Sequence, residues 1–309
     1  MGEMIAIDWG GTNFRLQVVN AVGDIVYNIT RPIGINQSSR AELEQCLIDA
    51  TTQLPAQYAS APIVMSGAVG SNIGLYETPY IECPVNPYQL VEHLINIQVS
   101  DINAFIVPGI KTHVREGLPD VMRGEETQIL GWMQQASRAE LKEALLCLPG
   151  THSKWVLVKR GEIVDFYTAF SGELFGSLCA QSLLVSGTQI HDETAFLQGV
   201  KVNTRDTFLL NLMFSARSRV LAGLHEKNVS AAYLSGVLIG AEVKAAMKLY
   251  GKKKNIHLIG ADLLVNSYAT AIQIYQGKSI KHQGALMAAK GARLLANRFL
   301  VNHSLERRA

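Results

Sequence analysis

The sequence predicts an α/β protein that consists of two related lobes. Two observations support this prediction: a glycine-rich hairpin near the N-terminus recurs in outline in the middle of the chain, and strands alternate with helices after the first hairpin. "GTNFRLQVVNAVGDIV", from Gly11, corresponds to "GTHSKWVLVKRGEIV", from Gly150. In each copy, two predicted strands surround a Gly-Thr loop and are followed by a second tight turn and a third strand.

The first lobe is predicted to begin with a buried strand and a half-buried one. Residues 4–7 are apolar throughout, and residues 14–18 alternate between apolar and polar side chains. Helical spacing predicts a helix over residues 40–54. Apolar runs predict a strand from Ala61, which leads into a glycine-rich turn, and another strand from Asp101, which stops at a Pro-Gly pair.

Helices are predicted for much of the remaining chain. One begins just after Gly124 and covers residues 125–135. Ser137 and Glu140 form an S-x-x-E capping box, which predicts a second helix that ends near Leu146 and is followed by the strand into the second Gly-Thr loop. The later predicted elements are a strand from Ile256 and helices over 207–221, 231–249, 266–275 and 284–300.

Composition limits the classes of function. The formal net charge is +2 over 309 residues, which gives no indication of a nucleic-acid or membrane partner. The basic run Lys252-Lys253-Lys254 is interpreted as a solvated loop. No segment approaches the ~18 uncharged apolar residues of a membrane span. The spacing of the cysteines favours core thiols in a reducing compartment, so we predict a cytoplasmic protein; they are Cys46, Cys83, Cys147 and Cys179.

The first Gly-Thr loop has the composition of a phosphate-binding turn. Gly10, Gly11, Thr12 and Asn13 follow Asp8 and permit a turn whose backbone amides converge on one space. From this segment alone, a plain hairpin turn with an incidental aspartate is equally consistent. The second copy favours phosphate binding, because two such loops facing each other could hold the two ends of a polyphosphate.

The two hairpins resemble the phosphate-1 and phosphate-2 loops of the superfamily that contains sugar kinases, actin and the heat-shock ATPases. More closely, the chain resembles the 2-dehydro-3-deoxygalactonokinase family, bacterial kinases of a keto-deoxy sugar acid. The motifs that carry this resemblance are "DWGGTN" from Asp8 with Arg15, "MRGEETQ" from Met122, "PGTHSKW" from Pro149, "SGELF" from Ser171 and "LSGVLIGAE" from Leu234.

The resemblance implies a two-lobed ribonuclease-H-like (actin-like ATPase) fold. Each lobe would be a mixed sheet flanked by helices, with the active site in the cleft between the lobes. Residues 1–123 would form the first lobe, with the phosphate-1 loop and the sugar-acid site, and a C-terminal helix at about 284–309 would pack back on it. Residues 124–283 would form the second lobe, with the phosphate-2 loop and the adenosine site.

ATP and Mg²⁺ are the ligands that phosphoryl transfer requires. Asp8 suits a magnesium site, and Arg15 could add positive charge beside the transferring group. The remaining residues assigned to the nucleotide are small or polar; they are Gly10, Gly11, Thr12, Asn13, Gly150, Thr151, His152, Ser153, Ser235, Gly236, Gly240 and Gly260. For the glycines after 235, close packing of a helix on a sheet explains the same pattern.

The superfamily places a carboxylate at the start of a helix shortly before the second phosphate loop, and Glu125 occupies that place here. A helix N-terminus stabilises an ionised carboxylate, which can then accept a proton from the acceptor hydroxyl. Glu126 and Asp120 compete for this role, and Glu125 could instead cap its helix.

An acidic substrate requires basic side chains for its carboxylate. Lys111, His113, Arg115 and Arg123 cluster in sequence before Glu125, and Arg123 is favoured by its position. The turn with Gly70, Ser71 and Asn72 resembles the family's sugar-acid segment, although Asn72 and Leu75 stand where the family pattern has an arginine and an aromatic residue.

The resemblance therefore implies an ATP-dependent kinase of the terminal (6-) hydroxyl of 2-dehydro-3-deoxy-D-galactonate, acting in galactonate catabolism. The alternatives are a kinase of another sugar, another sugar acid or pantothenate, and an ATP-switched module of the actin or chaperone kind. A homodimer remains open. His191-Asp192-Glu193 is interpreted as a solvated loop rather than a metal site, and Gly277-Lys278-Ser279 lacks the first glycine of a Walker A loop.

Overall fold

A computed structural model describes residues 2–115, 118–185, 191–203, 208–251 and 255–306, and the side chains of 114–115 and 300–306 are outside the description. Some sequence predictions therefore lie outside the described residues. They are the loop interpretation of Lys252-Lys253-Lys254, the start of a helix at Thr207, and the role of the Arg115 side chain in binding the substrate.

The strands of the described chain are β1 (Met4–Trp9), β2 (Phe14–Val19), β3 (Ile25–Arg31), β4 (Ile63–Ser66), β5 (Tyr80–Glu82), β6 (Ile95–Val99), β7 (Ile102–Ile106), β8 (Gly109–Arg115), β9 (Leu118–Met122), β10 (Glu143–Leu148), β11 (Ser153–Lys159), β12 (Glu162–Ala169), β13 (Ile256–Gly260) and β14 (Ser279–Gln283). The α-helices are α1 (Arg40–Thr52), α2 (Pro87–Glu92), α3 (Glu125–Gln135), α4 (Arg138–Lys142), α5 (Ser171–Gln181), α6 (Glu193–Val202), α7 (Leu209–Leu221), α8 (Ser230–Tyr250), α9 (Asp262–Ile274) and α10 (Gly284–Glu306).

The two largest sheets repeat one arrangement. The first has the order β3-β2-β1-β4-β7-β6, and the second has the order β12-β11-β10-β13-β14. In the first, β1 is antiparallel to β2 and parallel to β4, and in the second β10 is parallel to β13. A smaller sheet has the order β5-β8-β9. The mixed α/β class and the repeat predicted from the two hairpins are confirmed.

The chain divides into two compact units. Unit 1 consists of Met1–Glu143, Leu157–Phe166 and Gln283–Ala309, and unit 2 consists of Ala144–Val156 and Tyr167–His282. The predicted boundary between residues 123 and 124 differs from this division, because α3 packs against α10 within unit 1. The packing is close: a Cβ on Gly131 of α3 would lie 1.9 Å from the Met287 carbonyl oxygen of α10.

The core of unit 1 lies between its large sheet and α1. Trp9 and Phe14, at the ends of β1 and β2, are fully buried and meet edge to face, with ring centroids 4.7 Å apart. Leu43 and Leu47 of α1 complete this core, since their spacing places both on one face of the helix. The apolar runs recognised in the sequence are therefore the residues that hold the first loop's hairpin in place.

The core of unit 2 is built around α8, which packs against α6 and α7. In the described chain, Lys227–Tyr250 is long and apolar enough to cross a membrane by length and composition, but it is 72% buried. Its apolar character is explained by this central position. Membrane insertion is not needed to account for it.

The structure corrects the predicted end of one helix. The capping box of Ser137 and Glu140 is present, so the start of α4 is confirmed. The predicted end near Leu146 is wrong, because α4 stops at Lys142 and β10 begins at Glu143. Pairing of β10 with β13, which is distant in sequence, places these residues in a strand.

Candidate active site

The first Gly-Thr loop in unit 1 leaves backbone amides free for a ligand. The Gly10 amide donates to the Asn13 carbonyl at 2.9 Å and closes the turn. The carbonyls of Gly10 and Gly11 accept from the amides of residues 35 and 36 at 3.2 and 3.1 Å. Within the described residues, the Gly11 and Thr12 amides have no hydrogen-bond partner. This is the donor arrangement that an anion such as phosphate requires.

Asp8 and Arg15 face each other at the base of this loop. They are directly opposed in the β1–β2 pair, and Arg15 Nη1 lies 3.4 Å from Asp8 Oδ2. The Asp8 side chain is 30% exposed, so it is accessible. Burial raises the pKa of Asp8, and the charge of Arg15 lowers it.

The chemistry of Asp8 fits a magnesium ion. In the described residues no group of three or more His, Cys, Asp or Glu side chains is clustered for a metal. Mg²⁺ commonly uses only one or two carboxylates and takes its other ligands from phosphates and water. A cation beside Asp8 would also offset the cost of a partly buried carboxylate.

Two glycines bring the start of α3 close to the end of β1. Gly67 has φ +97°, and a Cβ there would lie 2.6 Å from the Trp9 carbonyl oxygen. Gly124 has φ +107°, and a Cβ there would lie 3.0 Å from the Gly67 Cα. Only glycine meets both requirements without strain. Asp8 and Glu125, the neighbours of Trp9 and Gly124, are thus brought into one region of unit 1.

The two carboxylates of the first turn of α3 have different environments. Glu125 is partly exposed and accepts from the Arg123 amide at 3.1 Å. Glu126 has no exposed surface and accepts from the Gly124 amide at 2.6 Å. Burial, with a smaller contribution from Glu125, raises the pKa of Glu126 to about 8. Of the two, Glu125 is the one that a substrate could reach.

Arg123 lies against the turn that resembles the sugar-acid segment. Its guanidinium contacts the Thr78 hydroxyl, donates to the Thr78 carbonyl at 2.9 Å and stacks 4.4 Å from the centroid of the Tyr80 ring. A Cβ on Gly70 would lie 2.8 Å from Arg123 Nη1. The buried atoms Arg123 Nε and Ser71 Oγ have no hydrogen-bond partner among the described residues. Unpaired buried polar atoms are costly, so this region is suited to a polar ligand.

Lys111 is less suited than Arg123 to bind a substrate carboxylate, and Asp120 is less suited than Glu125 to accept a proton. Lys111 Nζ lies 3.7 Å from a carboxylate oxygen of Glu82, so its charge is already paired. Asp120 is on β9, where it accepts from the Val121 amide at 2.7 Å rather than beginning a helix.

The two residues that depart from the family pattern, Asn72 and Leu75, differ in their exposure to solvent. Leu75 is 2% exposed and belongs to the core of unit 1, so it is unavailable to a substrate. Asn72 is exposed on the turn between Gly70 and Leu75. Of these two positions, only residue 72 is accessible to a ligand.

The second Gly-Thr loop in unit 2 is held by the start of α5. The Thr151 carbonyl accepts from the Glu173 amide at 2.9 Å. A Cβ on Gly172 would lie 2.3 Å from the Gly150 carbonyl oxygen, so the close approach requires glycine. In the first loop, Gly34 approaches in the same way, with a Cβ position 2.2 Å from the Thr12 amide nitrogen. The two hairpins are therefore alike in their supports as well as in sequence.

The other two residues of the second loop differ in exposure. His152 is exposed, and its Nε2 contacts the Glu173 carboxylate. The predicted phosphate contact of His152 stays a prediction. Ser153 is fully buried, and its hydroxyl lies 2.8 Å from the Tyr268 hydroxyl.

A cavity of about 600 Å³ adjoins the second loop within unit 2. Its wall is mainly apolar, with a few polar groups, as expected for the site of a base and ribose. The lining residues are Gly150, Ser171, Gly172, Phe175, His191, Asp192, Glu193, Phe196, Ser235, Leu238, Ile239, Leu263, Leu264, Asn266, Ser267, Tyr268 and Thr270.

Only some of the residues predicted to contact adenine lie at this cavity. Ser235 lines the cavity. Gly236 and Gly240 instead face α6, where a Cβ would lie 2.1 Å from the Phe196 carbonyl oxygen and 2.8 Å from the Asn203 side chain, respectively. Close packing accounts for both glycines, but α8 packs here on the helix α6 and not on a sheet, as the alternative above had it. Gly260 lies beside the second loop, since its Cβ position is 3.5 Å from the Pro149 carbonyl oxygen.

Sequence reasoning missed part of the cavity wall. His191-Asp192-Glu193 lines the cavity, and Asp192 also caps α6 by accepting from the Ala195 amide at 2.7 Å. The motif "SGELF" gave a signal for Ser171, Gly172 and Phe175, but no motif indicated Phe196 or Tyr268. Helix-borne wall residues such as these have the spacing of ordinary core positions.

Comparisons with known proteins agree on one family. The family model described as 2-keto-3-deoxy-galactonokinase matches residues 8–295. A probable 2-dehydro-3-deoxygalactonokinase, DgoK1, of Rhizobium meliloti (strain 1021) is 31% identical over 287 residues, covering 91% of this chain and 92% of that protein. The 2-dehydro-3-deoxygalactonokinase of Escherichia coli (strain K12) is 34% identical over 273 residues, covering 87% and 89%.

Solved structures show the same relationship. A crystal structure of a candidate 2-dehydro-3-deoxygalactonokinase from Sinorhizobium meliloti has a TM-score of 0.84 and 28% identity, covering 96% of this chain and 98% of that chain. The activator of the 2-hydroxyisocaproyl-CoA dehydratase from Clostridium difficile, with bound ADPNP, has a TM-score of 0.53 and 12% identity, covering 99% and 98%. The second likeness concerns the fold alone.

Proposed function

We propose, since the chain belongs to the 2-keto-3-deoxy-galactonokinase family, that it transfers the γ-phosphoryl group of ATP to the 6-hydroxyl of 2-dehydro-3-deoxy-D-galactonate. The products are the 6-phosphate and ADP. The observation that carries the proposal is the grouping, within unit 1, of a phosphate-type loop with Asp8, a partly exposed carboxylate at Glu125 and an Arg123 with an unpaired buried nitrogen. These are a phosphate site, a proton acceptor and an anion site.

In this proposal the sugar acid is recognised through its carboxylate. Arg123 is fixed by Thr78 and Tyr80, so little side-chain freedom is lost when it binds an anion. Its free Nε and the Ser71 hydroxyl supply donors, and the guanidinium charge favours a carboxylate over the neutral hydroxyl groups of a hexose. A site with buried unpaired donors discriminates strongly against a substrate that lacks the matching acceptors.

Glu125 is proposed to accept the proton of the 6-hydroxyl. It lies at the N-terminus of α3, where the helix dipole favours the ionised form. Arg15 and the free amides of Gly11 and Thr12 would stabilise negative charge on the transferring group. Asp8 would hold Mg²⁺, which when bound neutralises charge on the phosphates.

The nucleotide is proposed to bind to unit 2. The apolar cavity is large enough for an adenosine, and Gly150, which lines it, begins the predicted phosphate loop that continues to Ser153. The ADPNP bound to the distant structural neighbour is in keeping with ATP as the donor.

The four cysteines are all free thiols, as expected for the cytoplasm, where we place the protein.

The test is a substrate panel with purified protein, ATP and Mg²⁺, in which ADP release is measured. Keto-deoxy sugar acids, the corresponding neutral hexoses and pantothenate are compared at equal concentration. We expect turnover of 2-dehydro-3-deoxy-D-galactonate, with kcat/KM at least about 10²-fold above that for any neutral hexose, because the hexose has no carboxylate to pair with the Arg123 guanidinium. Turnover of hexoses without turnover of the keto-deoxy acids would refute the proposed substrate.

A further inference from the structure

A carboxylate deep in unit 2 is not used by the reaction described above. Glu242 lies on α8, is 6% exposed and accepts from Trp155 Nε1 at 2.7 Å and from the Tyr268 hydroxyl at 2.8 Å. Burial raises the pKa of Glu242, while hydrogen bonds, the strongest from the Ser171 hydroxyl, lower it. A buried carboxylate is costly unless such donors satisfy it.

The hydrogen bonds around Glu242 lead to the second phosphate loop. Tyr268 donates its hydrogen to Glu242, so the 2.8 Å contact between Tyr268 and Ser153 has the Ser153 hydroxyl as donor. The Ser153 oxygen then accepts from the Gly150 amide at 3.4 Å. The sequence of donors Gly150, Ser153 and Tyr268 therefore ends at one acceptor, Glu242.

This arrangement fixes the orientation of the loop backbone. The Gly150 amide is directed inward to Ser153, and the Thr151 carbonyl is held by the Glu173 amide at 2.9 Å. In the described part of the chain, the Thr151 and His152 amides have no hydrogen-bond partner. These two amides remain available to a phosphate.

We infer that Glu242 is a positioning residue for nucleotide binding, acting through Tyr268 and Ser153 on the phosphate loop of unit 2. The inference rests on the proposed function, because it takes the ligand of that loop to be the polyphosphate of ATP. Tyr268 also lines the cavity proposed for adenosine, and Ser171 belongs to both the cavity wall and the Glu242 network. One buried acceptor thus supports the phosphate loop and one wall of the cavity.

The decisive comparison is between two Tyr→Phe variants that each lose one buried hydroxyl. Tyr268→Phe removes the part of the link between Glu242 and Ser153 that runs through the Tyr268 hydroxyl, and it leaves the direct hydrogen bond from Ser153 to Glu242 in place. Tyr250→Phe is the matched control, since Tyr250 is also buried and its hydroxyl donates to the Trp155 carbonyl at 3.2 Å without contacting Ser153. Binding of Mg²⁺-ADP and of 2-dehydro-3-deoxy-D-galactonate to each protein is measured by calorimetry, together with the thermal midpoint.

For Tyr268→Phe we expect about tenfold weaker Mg²⁺-ADP binding, the order expected for losing one positioning hydrogen bond, with sugar-acid affinity unchanged. Tyr250→Phe should change Mg²⁺-ADP affinity less than about twofold. Its thermal midpoint should fall by about as much as that of Tyr268→Phe, because each variant loses one buried hydrogen bond. Equal nucleotide affinity in Tyr268→Phe and the wild type, or an equal loss in both variants, would overturn the inference.

Glu242→Gln provides a second, independent variant. Its amide nitrogen cannot accept from Tyr268 or Trp155, so the same nucleotide-specific loss is expected, seen as a raised KM for ATP with an unchanged KM for the sugar acid. A rise in both KM values by the same factor would contradict a positioning role. Failure of the wild type to bind Mg²⁺-ADP at all is a separate result, which would refute the proposed function itself.

Discussion

Replacement of Gly67 by alanine tests whether the reaction site is formed by the close approach of the end of β1, the turn at Gly67 and the start of α3. The added Cβ would lie 2.6 Å from the Trp9 carbonyl oxygen, well inside van der Waals contact. The substitution has two costs. The left-handed backbone costs a non-glycine residue about 1–2 kcal/mol, and the overlap costs about 1–3 kcal/mol, giving about 2–5 kcal/mol in all.

Gly23 provides a matched control. It has the same φ of +97°, but a Cβ there would meet nothing within 4 Å. Gly23→Ala should therefore lose only the backbone term, about 1–2 kcal/mol, and keep its activity. The free energy of unfolding is measured by urea denaturation, and kcat/KM by ADP release.

We expect Gly67→Ala to lose about 10²-fold in kcat/KM, because relief of the overlap moves Trp9 and Gly124 apart and displaces the neighbouring Asp8 and Glu125 by a fraction of an ångström to an ångström. Activity within about twofold of Gly23→Ala, measured where both proteins are folded, would refute the argument that this contact aligns the site.

Four further substitutions test individual roles. Arg123→Met should raise the KM for the sugar acid at least about tenfold and leave the KM for ATP unchanged, whereas Lys111→Met, which removes an already paired charge, should change neither; equal effects would contradict the assignment. Glu125→Gln should lower kcat by about 10²–10⁴-fold, and retention of most activity would remove it as the proton acceptor. Asp8→Asn should abolish the dependence of turnover on Mg²⁺ concentration along with most of the rate, so an unchanged Mg²⁺ titration would count against the metal site. Glu126, whose pKa is raised from 4.5 to about 8 in the folded protein, contributes stability that is fully present below pH 4.5 and is lost as the pH rises through about 8. In Glu126→Gln this part of the pH dependence of unfolding should disappear, and a slope between those pH values equal to that of the wild type would show that Glu126 is not the group responsible.

Features that depend on neighbours in sequence were determined by the sequence itself. The Gly-Thr hairpins and the capping box at Ser137 follow from local turn chemistry and strand alternation, because the interacting groups are only a few residues apart. The ordered motifs also sufficed to indicate the family. Residue type and spacing were the only information that these predictions needed.

Features that depend on burial and on long-range contacts were decided only by the tertiary structure. Glu125 and Glu126 are adjacent acidic residues in sequence, yet the packing of α3 buries one completely and leaves the other accessible. Lys111 and Arg123 were both candidate cations for the substrate, but Glu82 pairs with the first, while the turn after Gly70 holds the second with an unpaired nitrogen. Which face of a helix is covered, and which charge finds a partner, depends on residues that are brought together only by folding, and no local pattern records that.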